Sequence, residues 1–238
     1  MYFSVNHLIK RYLRLFAHLI WPEHCPVCGR LAVSHCSGCL ESSAPSLYAF
    51  CLDCGGIYGV VCCNDSIPCY AASLHEGYAR TFILKLKYHN ARSLGVPMGS
   101  LMGRRLSNPG ADIIVPVPLH KASSRGYNQS EKLSEGISEE WRIPVIGNAL
   151  KWNIINGTQT GKNRHGRSAM RLDAMSAEAC IAGRRVFLVD DVYTTGATLR
   201  SARYAAERAG GVVVGAAVWS RRISSLENQD AWGDAGNG

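Results

Sequence analysis

Two adjacent carboxylates, Asp190 and Asp191, end the apolar run 186–189 and precede a short loop of hydroxyls and glycine. That loop reads Thr194, Thr195, Gly196, Ala197, Thr198, and a helix-compatible stretch begins near Ala197. A carboxylate accepts hydrogen bonds from neighbouring hydroxyls or binds a hard divalent cation such as magnesium. Backbone N–H groups at a helix start attract a phosphate, and glycine lets the backbone approach it closely. The two halves together suit a sugar that carries both hydroxyls and a phosphate. The competing reading is an ordinary strand–turn–helix with a surface acidic pair, and the ordered context of the run speaks against it. A Walker loop would place a lysine directly after its glycines, and a dinucleotide loop would place its glycines before the acid. This run has neither order.

A second kind of chemistry sits upstream. Nine of the ten cysteines fall before residue 70. They form Cys25-x2-Cys28, Cys36-x2-Cys39 and Cys51-x2-Cys54, followed by Cys62, Cys63 and Cys69. A two-residue gap lets two thiolates turn onto one cation, and two such knuckles complete a tetrahedral zinc shell. Gly29 and Gly55 follow where tight turns need them. Zinc is the expected ligand, ahead of an iron–sulfur centre or disulfides. One site would use Cys25, Cys28, Cys36 and Cys39. A second would use Cys51, Cys54 and two of Cys62, Cys63 and Cys69. That first site is the most economical; an interleaved site, with Cys25 and Cys28 meeting Cys51 and Cys54, is the alternative, and spacing alone does not choose. Four thiolates leave no open coordination position, so the role is structural, and a segment this small needs such a staple.

The elements that position the acidic pair follow from hydrophobic patterning. Strands are expected at 69–74, 112–118, 145–146, 184–190 and 211–219, with helices at 77–88, 91–106, 129–141 and 198–208. Strand and helix alternate, which predicts an α/β fold with a mostly parallel sheet. Ligands of such sheets bind at the C-terminal strand ends. The expected organisation is an amphipathic N-terminal helix over 1–22, a small cysteine-rich zinc-binding domain over 23–70, the α/β domain over 71–223 and a polar tail over 224–238.

Residues 1–21 mix Leu8, Ile9, Leu13 and Phe16 with Lys10, Arg11 and Arg14, the pattern of an amphipathic helix rather than a secretory segment. Such a helix packs on its own protein or on a membrane or partner surface. No apolar run reaches membrane-spanning length. The formal charge of +8 is uneven: residues 73–215 carry twenty basic and eleven acidic side chains. That surplus favours a polyanion, either a phosphorylated small molecule or a nucleic acid.

The acidic pair with its loop resembles the ribose-phosphate motif of type I phosphoribosyltransferases. Further features make the chain similar to the ComF family (ComF/ComFC competence proteins, also the GntX-like group). Cysteine pairs precede the transferase-like segment. Lys85, Leu86, Lys87 and Tyr88 resemble the family's Lys-Tyr segment. Val115, Pro116, Val117, Pro118, Leu119 and His120 resemble its pyrophosphate loop, and Arg125, Gly126, Tyr127, Asn128 and Gln129 the region after it. Thr158, Gln159 and the basic stretch through Arg171 resemble the segment before the last strands. The chain departs from the family pattern where Cys62 and Cys63 are adjacent, and in the basic stretch from Arg164 to Arg171.

The resemblance implies a type I phosphoribosyltransferase-like sheet that binds phosphoribosyl diphosphate with Mg²⁺. Asp190 and Asp191 would address the ribose hydroxyls, and Thr194, Thr195, Gly196, Ala197 and Thr198 the 5′-phosphate. Pro116, Val117, Lys87 and Gln129 would meet the diphosphate or its surroundings, with Arg125 acting in catalysis. The acceptor is not indicated. The resemblance also implies a role in DNA uptake and natural transformation, with single-stranded DNA and a competence helicase as partners. The expected location is the cytoplasm, with a partner as the link to the inner membrane. The alternative is a non-catalytic single-stranded-DNA-binding accessory protein.

Overall fold

The computed structural model describes residues 24–223 apart from 33–34, 46, 61, 64, 89–90, 121–122, 124–125 and 154–171. The helix expected over 1–22 and the tail from 224 lie outside the described residues. A five-stranded sheet organises the chain. Its strands are β1 (Tyr48–Cys51), β2 (Pro68–Leu74), β3 (Ile113–Pro116), β6 (Arg185–Tyr193) and β7 (Val212–Arg221). The order is β1-β2-β7-β6-β3; β1 is antiparallel to β2 and every other pairing is parallel. A separate antiparallel pair joins β4 (Leu150–Trp152) to β5 (Met175–Ala177). The helices are α1 (Ser37–Ser43), α2 (Gly77–Tyr88), α3 (Gly95–Arg105), α4 (Gln129–Trp141) and α5 (Ala197–Arg208).

The parallel strands are apolar on both faces because both are covered. Along β6, Val186 and Leu188 join Leu199, Ala202 and Ala206 of α5 in one core cluster. The alternating residues Phe187 and Val189 join Phe82 and Ile83 of α2, Met98 and Leu101 of α3, and Leu133 and Ile137 of α4 in the other. Period-two alternation thus divides one strand between two layers of helix. Trp219 of β7 is fully buried, and its Nε1 donates to Ala79 O of α2 at 2.9 Å.

The mostly parallel α/β architecture is as the alternation predicts, and α2 and α4 match their expected bounds. Residues 91–106 resolve into a 3-10 turn, Arg92–Leu94, followed by α3. Val145 pairs in parallel with Ile114, beyond the edge strand. One difference matters for the site. The central strand was expected to stop at residue 190, yet β6 stays paired with β7 through Tyr193. Tyr193 is buried edge-on to Phe50, with ring centroids 4.7 Å apart, and this contact holds the chain extended for three more residues.

The cysteine-rich segment is not detached from the sheet, since β1 pairs with β2 over its whole length. Cys69, one candidate ligand by spacing, lies in β2 opposite Phe50 and Ala216 and is fully buried there. No helix among the described residues is long and apolar enough to cross a membrane.

Candidate functional site

The C-terminal ends of β3 and β6 open onto a cleft of about 410 Å³. Asp190, Asp191, Lys87, Val117, Gln129 and Thr198 all line it. Residues distant in sequence therefore meet at one sheet edge, where open parallel sheets bind ligands. Asp190 Oδ1 accepts from Ser130 Oγ at 3.0 Å and from the Asp191 N–H at 2.8 Å. Both bonds fall on one carboxylate oxygen. Lys87 Nζ pairs with both oxygens of Asp191, at 3.0 and 2.9 Å. The pair is only slightly exposed, at 17% and 14%, so water screens it weakly.

Burial pushes the Asp190 carboxyl up to about 7, and the Asp191 charge beside it adds to the shift. The Asp191 N–H, the Ser130 hydroxyl and the Lys87 charge oppose it. The folded protein therefore holds a proton on Asp190 that the unfolded chain has lost above its ordinary value of 3.8. Stability from this group is full below that value and falls as pH rises toward about 7. In magnesium-free buffer, Asp190→Asn is expected to melt a few degrees above the parent at pH 8, with the gap narrowing steadily below pH 7 and closing only as pH nears 3.8. Thermal melts across that range check this, and an unchanging gap would refute it.

The turn after β6 leads directly into α5. Gly196 caps α5 at φ 72°, a left-handed conformation. A Cβ there would lie 2.4 Å from Tyr193 Oη, so space and backbone both demand glycine. Thr194 and Thr195 are exposed, while Ala197 and Thr198 are half-buried at the start of α5. A small niche of about 10 Å³ opens among Asp190, Thr194, Gly196 and Thr198.

Opposite the turn, β3 ends in Pro116, which is buried and does not line the cleft; Val117 and Pro118 do. Asn128 fixes this loop. Its Nδ2 donates to Val117 O at 2.9 Å, and its Oδ1 caps α4 by accepting from the Ser130 N–H at 3.1 Å. Gln129 is almost fully buried, with Nε2 donating to Tyr127 O at 3.3 Å. Arg125, together with Lys162, Arg164 and Arg167, lies outside the described residues. Sequence reasoning missed Ser130 as a partner of Asp190 and Trp152 as a wall of the cleft. Trp152 Nε1 donates to Pro118 O at 2.9 Å and its ring stands edge-on to His120. The Asn128 cap was the available signal for Ser130, since a capped helix start fixes the next residues' direction.

The cysteines form two groups: Cys25, Cys28, Cys36 and Cys39, and Cys51, Cys54, Cys62 and Cys63. Within each group the ligand atoms lie within 4.8 Å of one another. The interleaved arrangement is not adopted. A tetrahedron of zinc–sulfur bonds of about 2.3 Å has edges of about 3.8 Å. The Cys28–Cys36, Cys51–Cys63 and Cys54–Cys62 sulfurs lie 3.6, 3.4 and 4.0 Å apart, so both groups fit zinc. The Gly56 N–H against its sulfur pulls Cys54 down to about 7, against the effect of burial. A lower thiol pKa favours the thiolate that a metal binds.

The family model described as phosphoribosyl transferase domain matches residues 92–236. The chain belongs to the phosphoribosyl transferase domain family. Among curated proteins similar to the chain, competence protein F of Haemophilus influenzae is 39% identical over 93 residues, covering 37% of this chain and 41% of the relative. Competence protein ComFC of Bacillus subtilis is 32% identical over 92 residues, covering 38% of this chain and 36% of the relative. These relatives support the ComF resemblance within the phosphoribosyl transferases. The chain aligns with less than half the length of each. Among solved structures, glutamine phosphoribosylpyrophosphate amidotransferase from B. subtilis is 22% identical with a TM-score of 0.39. That match covers 54% of this chain and 26% of the amidotransferase.

Proposed function

We propose that this chain binds phosphoribosyl diphosphate with Mg²⁺ across the ends of β3 and β6, and transfers the ribose phosphate to an acceptor. One observation carries the reading. The acidic pair and the loop after β3 share a single cleft, with a glycine-capped helix start beside them. In this reading Asp190 and Asp191 accept hydrogen bonds from the ribose hydroxyls. The turn 194–198 takes the 5′-phosphate with N–H groups and hydroxyls. Val117 and Pro118 shape the wall that faces the diphosphate, and Lys87 adds a cation at that end. Bound Mg²⁺ would neutralise charge on the departing pyrophosphate. The acceptor's nucleophile bonds to C1 as the bond from C1 to the diphosphate oxygen breaks. The protein contributes position and a fixed electrostatic environment, with no covalent intermediate.

Titration calorimetry with phosphoribosyl diphosphate and Mg²⁺ tests binding, and pyrophosphate release across a panel of amine and base acceptors tests transfer. Saturable one-site binding is expected. Failure to bind at millimolar ligand would overturn the reading.

We infer from the relatives' names, which call them competence proteins, that the process served is competence, and from the ComF resemblance that it is DNA uptake with a helicase-type partner. Direct contact with single-stranded DNA is a second reading. Tyr78 and Tyr88 support it: they stand 51% and 66% exposed on α2, the helix that also carries Arg80 and Lys85. Aromatic faces interleaved with cations suit stacked bases and phosphates. Labelled single strands should bind at low salt and dissociate steeply as salt rises, with Tyr78→Ala and Tyr88→Ala weakening retention. No retention at low salt would reject direct contact.

A further inference from the structure

The second cysteine group packs against the elements that frame the phosphate turn. Arg200 Nη1, on α5, donates to Thr195 O at 2.8 Å and to Asp53 O at 2.9 Å. One guanidinium nitrogen thus ties the turn to the knuckle of Cys51 and Cys54. Around it, Arg203 Nη1 pairs with the Asp53 carboxylate at 2.5 Å. Tyr193 Oη donates to Leu52 O at 3.2 Å, and Arg221 Nη2 to Gly55 O at 2.7 Å. Three knuckle carbonyls, those of Leu52, Asp53 and Gly55, are each taken by a side chain from β6, α5 or β7.

Those carbonyls belong to a closed knuckle. Its closure rests on the Gly55 N–H to Cys51 O bond at 2.9 Å and on N–H contacts to sulfur from Cys54 and Gly56. A cation held by four thiolates fixes such a loop, whose Ile57, Tyr58 and Val60 are exposed and do not anchor it in the core. The first cysteine group faces elsewhere. Helix α1, which carries Cys39, reaches α3 through Glu41, which pairs with Arg104 and Arg105.

We propose that the ion at Cys51, Cys54, Cys62 and Cys63 splints the sugar-phosphate turn through Arg200, which is a positioning residue for that turn. Metal occupancy there and phosphate binding on the turn then favour each other, because linkage is reciprocal. The phosphate half of this inference rests on the function proposed above. The mechanical half, that the knuckle orders the turn, does not.

The test uses the full chain loaded with zinc, read by zinc content, amide hydrogen exchange of residues 194–199 and calorimetry with phosphoribosyl diphosphate and Mg²⁺. Arg200→Met should keep both ions, speed exchange in the turn and weaken ligand binding about tenfold, within the usual range of coupling between sites. Arg200→Lys, which reaches one carbonyl at a time, should fall between. Cys54→Ser with Cys62→Ser should lose one ion and loosen the turn. Cys28→Ser with Cys36→Ser should lose the other ion and leave the turn's exchange unchanged. Unchanged exchange in Arg200→Met, with both ions retained, would overturn the proposal even if the cysteine variants fail to fold. Absence of ligand binding by the parent would count against the proposed function alone, and the exchange measurement would still decide this inference.

Discussion

Asp190→Asn combined with Asp191→Asn is expected to weaken phosphoribosyl diphosphate binding by at least about a hundredfold while the fold persists. A hydrogen bond to a charged group contributes roughly 1.5–3 kcal/mol, so losing two such carboxylates removes about 3–6 kcal/mol of binding. Asparagine keeps the shape and one carbonyl oxygen, so the bond from Ser130 to residue 190 can survive. Lys87 loses its ion-pair partner but keeps some access to water, at 17% exposure. Far-UV circular dichroism should match the parent's and the thermal midpoint should stay within a few degrees of it, while calorimetry loses its signal. A threefold loss or less would show that the carboxylates do not touch the ligand.

Gly136→Ala is expected to cost the fold about 3 kcal/mol, toward the upper end of overpacking effects. A Cβ at Gly136 would lie 2.2 Å from Val96 O, 2.4 Å from Ser100 N and 2.7 Å from Gly99 C. All three are backbone atoms of α3, so no side-chain rotation relieves the clash, and α3 and α4 must part. The reciprocal contact is as tight, since a Cβ at Gly99 would lie 2.0 Å from Leu133 O. The damage should reach the cleft, because α4 begins beside Asn128 and Ser130, which hold Val117 O and Asp190. The urea midpoint should drop with its slope unchanged, and residual folded protein should bind phosphoribosyl diphosphate more weakly. An unshifted midpoint would mean that the helix pair yields more easily than its backbone contacts imply.

The acidic pair, the glycine turn and the helix after it were legible because each has a local signal. An apolar run marks a buried strand, Gly196 marks a left-handed cap, and the pattern of α5 follows directly. Cysteine spacing led to the expectation of zinc and left the grouping open, which only packing resolves; Cys69 is excluded because β2 carries it into the core. The strands β1, β4 and β5 were not legible. At three or four residues each they are too short to show a period, and their pairing comes from tertiary contacts. The end of β6 was misplaced because the Tyr193 contacts that extend it lie in the cysteine segment. Ser130 and Arg200 were missed for the same reason. Their partners Asp190 and Asp53 are 60 and 147 residues away; the Asn128 cap orients Ser130 but names no partner for it, and no local pattern marks Arg200.

A structure determined with phosphoribosyl diphosphate and Mg²⁺ bound tests the central claim most directly. The expected result places the ribose hydroxyls against Asp190 and Asp191 and the 5′-phosphate on residues 194–198, with the diphosphate facing Val117. Ligand bound away from this cleft, or the sugar turned so that neither carboxylate meets a hydroxyl, would contradict it.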